Sequence, residues 1–130
     1  MYKNRFQLCI ISTLLLQLLS YPLAAQDTSG LDWTETKDKW GQLLFCQRIY
    51  KLPEVKARLY DFDVEKCDKA QELVLEVITK YSQQDQVLLK NEAEQHAYQL
   101  SHNTSEPYFA VGACREYCDK LAEIKDQRND

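Results

Sequence analysis

The residues of this chain best suited to chemistry are its cysteines. Cys114 and Cys118 stand four apart, which on a helix aims both side chains to one face, and Cys46 and Cys67 lie upstream. A bond between Cys114 and Cys118 themselves would be strained, because a helical backbone sets their side chains alongside one another at an α-carbon separation of about 6 Å. Partners elsewhere in the chain suit them better. Metal binding is disfavoured because zinc ligands usually come in two closely spaced pairs, and here only one pair is close. Redox exchange is disfavoured because its usual motif has two intervening residues and an electropositive setting, whereas this one has three, with Glu116 and Asp119 nearby. Disulfide stapling is therefore the expectation for all four. Their connectivity stays open from sequence. Cys46 falls near the end of one predicted helix and Cys67 near the start of the next, and we take the nested pairing, Cys46 with Cys118 and Cys67 with Cys114, ahead of the crossed one.

Other reactive side chains carry less. His96 falls on the apolar side of its predicted helix, where a packed histidine outweighs a ligand or a base, and His102 lies near a helix end, where a cation suits the dipole. Asp61, Asp63 and Glu65 could serve acid–base catalysis. They straddle a predicted helix start, however, where carboxylates are expected as caps. The chain has no nucleophile elbow, phosphate-binding glycine loop, calcium loop or paired-histidine zinc motif. We therefore expect no enzyme, no metal and no cofactor.

Helices must position these residues. The stretch after residue 25 has only three glycines and two prolines and almost no alternating apolar pattern. Asp32 with Glu35 predicts a capped start for a helix running to about Lys51, ended by Pro53. Pro53 to Phe62 reads as a connector with a short helix, and Asp63 as the cap of the next helix. On that helix Cys67, Ala70, Leu73, Val74, Val77, Ile78 and Tyr81 share one side. The apolar set resumes on a rotated face with Leu89, Ala93, His96, Ala97 and Leu100, so a turn within 82–86 is favoured over one long helix. Ser105-Glu106-Pro107 starts the last helix, whose stripe runs from Pro107 through Ala110, Cys114, Cys118 and Leu121 to Ile124. The expected fold is all-α, a disulfide-stapled up-and-down bundle of about four helices.

Lys3 and Arg5 precede an apolar run from Phe6 to Leu19 that ends in Ala24-Ala25, which reads as a secretory signal peptide of residues 1–25 and takes Cys9 with it. The remainder, 26–130, makes one helical domain with a frayed C-terminal tail. Removal of Lys3 and Arg5 would shift the net charge from −4 to −6, a poor match for nucleic acid or an anionic membrane. A periplasmic or secreted location follows, with no membrane contact after signal cleavage. Asn103-Thr104-Ser105 matches a glycosylation acceptor. The chain is rich in aromatic residues, and a surplus at one end could form a partner-binding face. Tyr108 and Phe109, beside a proline at a helix start, are the first candidates. The expected function is binding of another protein, as an accessory, adaptor or inhibitor. The alternatives are a carrier of a small apolar ligand, and a thiol-redox or metal protein using Cys114 and Cys118.

Overall fold

The computed structural model describes residues 31–129. The expected signal peptide of residues 1–25 and Cys9 lie outside the described residues. Within the compact unit that starts at Trp33, five helices follow in order: α1 (Trp33–Tyr50), α2 (Pro53–Lys56), α3 (Asp61–Ile78), α4 (Gln83–Asn103) and α5 (Pro107–Asn129). The four long ones are those expected, and α2 is a single turn inside the connector.

Local chemistry explains the boundaries. Pro53 occupies the first turn of α2, where its missing N–H leaves no bond unmade. The chain does turn rather than continue as one helix, but at residues 79–82, earlier than the expected 82–86: Gln83 to Gln86 already form the first turn of α4. Thr79 closes α3 by donating its hydroxyl to the Glu76 carbonyl (2.8 Å), and Ser82 caps α4 by accepting from the Asp85 amide (3.2 Å). At the far end of α4, Thr104 bonds back to the Leu100 carbonyl at 2.7 Å. One boundary needs correction. Asp63 does not precede α3 but lies inside its first turn, where its carboxylate accepts from the Tyr60 amide at 3.0 Å while Tyr60 occupies the cap position.

Neighbours in sequence are not the best neighbours in space. The most extensive contacts join α1 to α4 and α3 to α5, and α1 also touches α5 and α3, whereas α3 and α4 make little contact despite their short link. Both intimate pairs are parallel. Along α3 and α5, Asp63 meets Arg115, Lys66 meets Asp119 (2.9 Å), Lys69 meets Asp126 (3.2 Å) and Glu76 meets Lys125 and Arg128. Along α1 and α4, the Trp33 indole donates to Glu92 at 3.1 Å and Gly41 lies against Ala93 and His96. The second pairing depends on small residues. A Cβ on Gly41 would come within 2.7 Å of the His96 ring and 2.9 Å of the Ala93 carbonyl, so only glycine permits this approach. His96 is thus a packing residue of the α1–α4 contact.

The core follows the stripes read from sequence. Ala70, Leu73, Val74 and Val77 of α3, Leu89, Ala93 and Ala97 of α4, and Cys114, Cys118 and Leu121 of α5 are all buried. The two staples are Cys46–Cys114 and Cys67–Cys118, with α-carbons 5.6 and 4.7 Å apart. This is the crossed pairing, and it overturns the nested expectation of Cys46 with Cys118 and Cys67 with Cys114. The physical reason is register. Because α3 runs parallel to α5 with Asp63 level with Arg115, Cys67 comes level with Cys118, one turn beyond Cys114. Cys67 with Cys114 would need α3 to slip by more than a turn.

Candidate functional site

The end of the bundle where α1 finishes and α3 and α5 begin carries most of the exposed aromatic side chains: Tyr60, Phe62, Tyr108 and Phe109. The segment from Ala57 to Tyr60 crosses this end and separates two hollows. One, between α1 and α3, has a volume of about 570 Å3, with Leu43, Tyr50, Val64 and the disulfide cysteines Cys46 and Cys67 in its wall and Lys51, Lys56, Asp61 and Asp68 also lining it. The other, between the crossing segment and α5, measures about 670 Å3 and is lined by Val55, Ala57, Arg58, Leu59, Tyr60, Tyr108, Val111, Gly112 and Arg115.

Helical periodicity places Tyr108, Val111, Gly112 and Arg115 on one face of α5, at successive turns. Arg115 is held from behind: its Nε and one terminal nitrogen donate to the two Asp63 carboxylate oxygens at 2.8 and 3.1 Å. Asp63 is only 3% exposed. Burial pushes its carboxyl up, but the Arg115 bonds, the Tyr60 amide and the nearby Lys66 charge outweigh that and hold it below its ordinary range. The same pairing raises Arg115 above its already high value. A guanidinium has five N–H donors and this fork uses two, so three remain for another group. The Arg115 guanidinium also lies 5.6 Å from the centre of the Tyr60 ring. Across the cleft, Arg58 lies 4.5 Å over the Tyr108 ring. Arg58 has no carboxylate partner among the described residues.

Behind this pair, the Tyr50 hydroxyl is buried and has no hydrogen-bond partner among the described residues. Burial first, then the charges of Asp63 and Asp119, push its pKa up to about 12, with Arg115 acting the other way. Tyr50 is therefore a neutral wall of the first hollow.

The two aromatic residues singled out from sequence part company. Tyr108 (49% exposed) faces Arg58, whereas Phe109 (73% exposed) projects towards a shallower recess with Phe45, Leu100, Asn103 and Tyr117. Tyr60 (60% exposed) and Phe62 (51% exposed) extend the Tyr108 side, stacked at 5.3 Å with their planes 8° apart. Sequence reasoning missed Tyr60, Phe62, Arg58 and Arg115. A signal existed: Asp63 lies one turn before Cys67, in line with the buried stripe, and a carboxylate there requires a cation on the helix that covers it.

Cys114 and Cys118 are buried and each is bonded to a different helix, so neither is a free thiol here. Among the described residues no cluster of three His, Cys, Asp or Glu side chains could hold a metal ion, and no helix is long and apolar enough to cross a membrane. Compared with protein-family models, with curated proteins and with solved structures, the chain matches none.

Proposed function

We propose that this chain is a non-enzymatic exported protein that acts by binding another protein, as an accessory, adaptor or inhibitor, with its contact face at the Tyr60, Phe62 and Tyr108 end of the bundle. One observation carries the reading. Three large aromatic side chains, each about half exposed or more, gather beside two arginines on a scaffold braced by two disulfides. Tyrosine and arginine are the residues that most often dominate binding energy at protein interfaces, because they offer large contact area with a polar end. The two disulfides support an oxidising compartment such as the periplasm or the extracellular space.

A second reading, a carrier of a small ligand, draws on the hollow between α1 and α3. Its size suits a small molecule. Lys51, Lys56, Asp61 and Asp68 around it favour a ligand with polar ends over a wholly apolar one.

Site-specific photocrosslinking separates the readings. A benzophenone side chain at Phe62 or Tyr108 should capture one and the same protein from the native compartment, and the same group at Tyr98, which is exposed on α4, should not. Equal capture from Tyr98, or none from either test position, would remove the protein-binding proposal.

A further inference from the structure

The cleft between Arg58 and Arg115 contains a residue that packing does not explain. Gly112 lines the cleft from the second turn of α5, inside the helix, where glycine is weaker than alanine. At Gly41 the neighbouring helix demands glycine, but around a Cβ built on Gly112 no described atom beyond its chain neighbours and the adjoining backbone of its own helix lies within 4 Å. The position is left empty. What the missing side chain leaves is access to a cleft walled by two tyrosine rings and two guanidiniums, with no acidic side chain among its lining residues. That is unusual in a chain of net charge −4.

We infer that this cleft receives a carboxylate side chain of the partner protein, gripped between Arg58 and the unused N–H edge of Arg115, with an adjoining apolar residue of the partner against Tyr60, Tyr108 and Val111. The inference rests on the protein-binding reading above and deepens it. Charge selects the group. Asp63 neutralises one of the two arginines, leaving a net single positive charge across the cleft, which one carboxylate balances and a doubly charged phosphate exceeds. Geometry selects the mode. The Asp63 fork fixes Arg115 before any ligand arrives, so little side-chain freedom is left to lose. Arg58, braced by the Tyr108 ring, closes the other side.

The test uses the oxidised full chain and blocked tripeptides, acetyl-Leu-Glu-Phe-amide and its glutamine counterpart, followed through the arginine side-chain NMR signals. The glutamate peptide should shift Arg58 and Arg115 and bind at least about tenfold tighter than the glutamine peptide, a difference typical of a charge-assisted pair. Arg58→Gln should lose about the same factor, while Arg48→Gln, an exposed charge on α1, should lose none. Gly112→Leu should abolish binding with the melting temperature unchanged or raised, which separates a filled cleft from a damaged fold. Equal binding of both peptides, or wild-type binding by Gly112→Leu, would overturn the inference. So would acetate or inorganic phosphate binding as tightly as the peptide, since the cleft would then be a small-anion site. If the peptides fail while crosslinking from Tyr108 still captures a partner, only the carboxylate assignment falls.

Discussion

Asp63 does two jobs with one carboxylate: it completes the first turn of α3 through the Tyr60 amide and clamps Arg115 on α5. Its depressed pKa fixes a sign. A carboxyl whose folded value lies below its ordinary 3.8 adds stability in full above that range, and the contribution is lost as pH falls through the depressed value. Tyr50 works at the opposite limit. With its phenol raised from 10.0 to about 12, its contribution is complete below pH 10 and disappears between 10 and about 12. Denaturant unfolding across the pH range should therefore show an acid limb that Asp63→Asn reduces, with Glu76, also held below its ordinary range by Lys125, supplying part of the rest, and an alkaline limb that Tyr50→Phe reduces. At neutral pH, Asp63→Asn should destabilise by about 1–3 kcal/mol, discounted because Arg115 is partly open to water. Tyr50→Phe should be close to neutral, since its hydroxyl makes no bond among the described residues. Of this residue-level detail the sequence showed the cysteines as structural, His96 as a packed side chain and Tyr108 as exposed. It did not show the Asp63–Arg115 fork, because residues 52 positions apart meet only once α3 and α5 are laid in register.

At the scale of elements, the two glycines of the long helices make opposite predictions. Gly41→Ala forces the His96 ring and the Ala93 backbone apart and should destabilise by about 1–3 kcal/mol, the usual range for overpacking. Gly112→Ala meets nothing and should stabilise by about 0.5–1 kcal/mol through helix propensity alone. Thermal melts of the two variants in parallel would settle the contrast, and a stabilised Gly41→Ala would refute the close α1–α4 contact. Helix existence and apolar stripes were legible because they are set locally, by spacing and prolines, whereas the Ser82 cap that fixes the start of α4 was not read. Which stripe meets which was not. Small side chains on α4 match the gap at Gly41, so α4 chooses α1 over α3, its neighbour in sequence, and that choice depends on shape complementarity rather than on pattern.

For the whole molecule, each staple closes a long loop, with bonded cysteines 68 and 51 residues apart. Chain entropy values each bond at about 4 kcal/mol, comparable to the whole stability of a small domain. Replacing Cys46 and Cys114 together with alanine should therefore lower unfolding free energy by about 2–5 kcal/mol, read from the denaturant midpoint, and full reduction should lower it further. A midpoint unmoved by reduction would contradict the stapled scaffold. The misjudged pairing belongs to this scale as well, since it turns on the register of α5 against its neighbours. Crossed pairing also fixes how the chain survives being cut. A break between Cys46 and Cys67 leaves the pieces tethered by Cys46–Cys114 alone, and a break between Cys114 and Cys118 leaves them tethered by Cys67–Cys118 alone. Anywhere between Cys67 and Cys114, including both connections of α4, two bonds remain. A protease that nicks either of those turns therefore leaves one covalent molecule with its aromatic end still held in place.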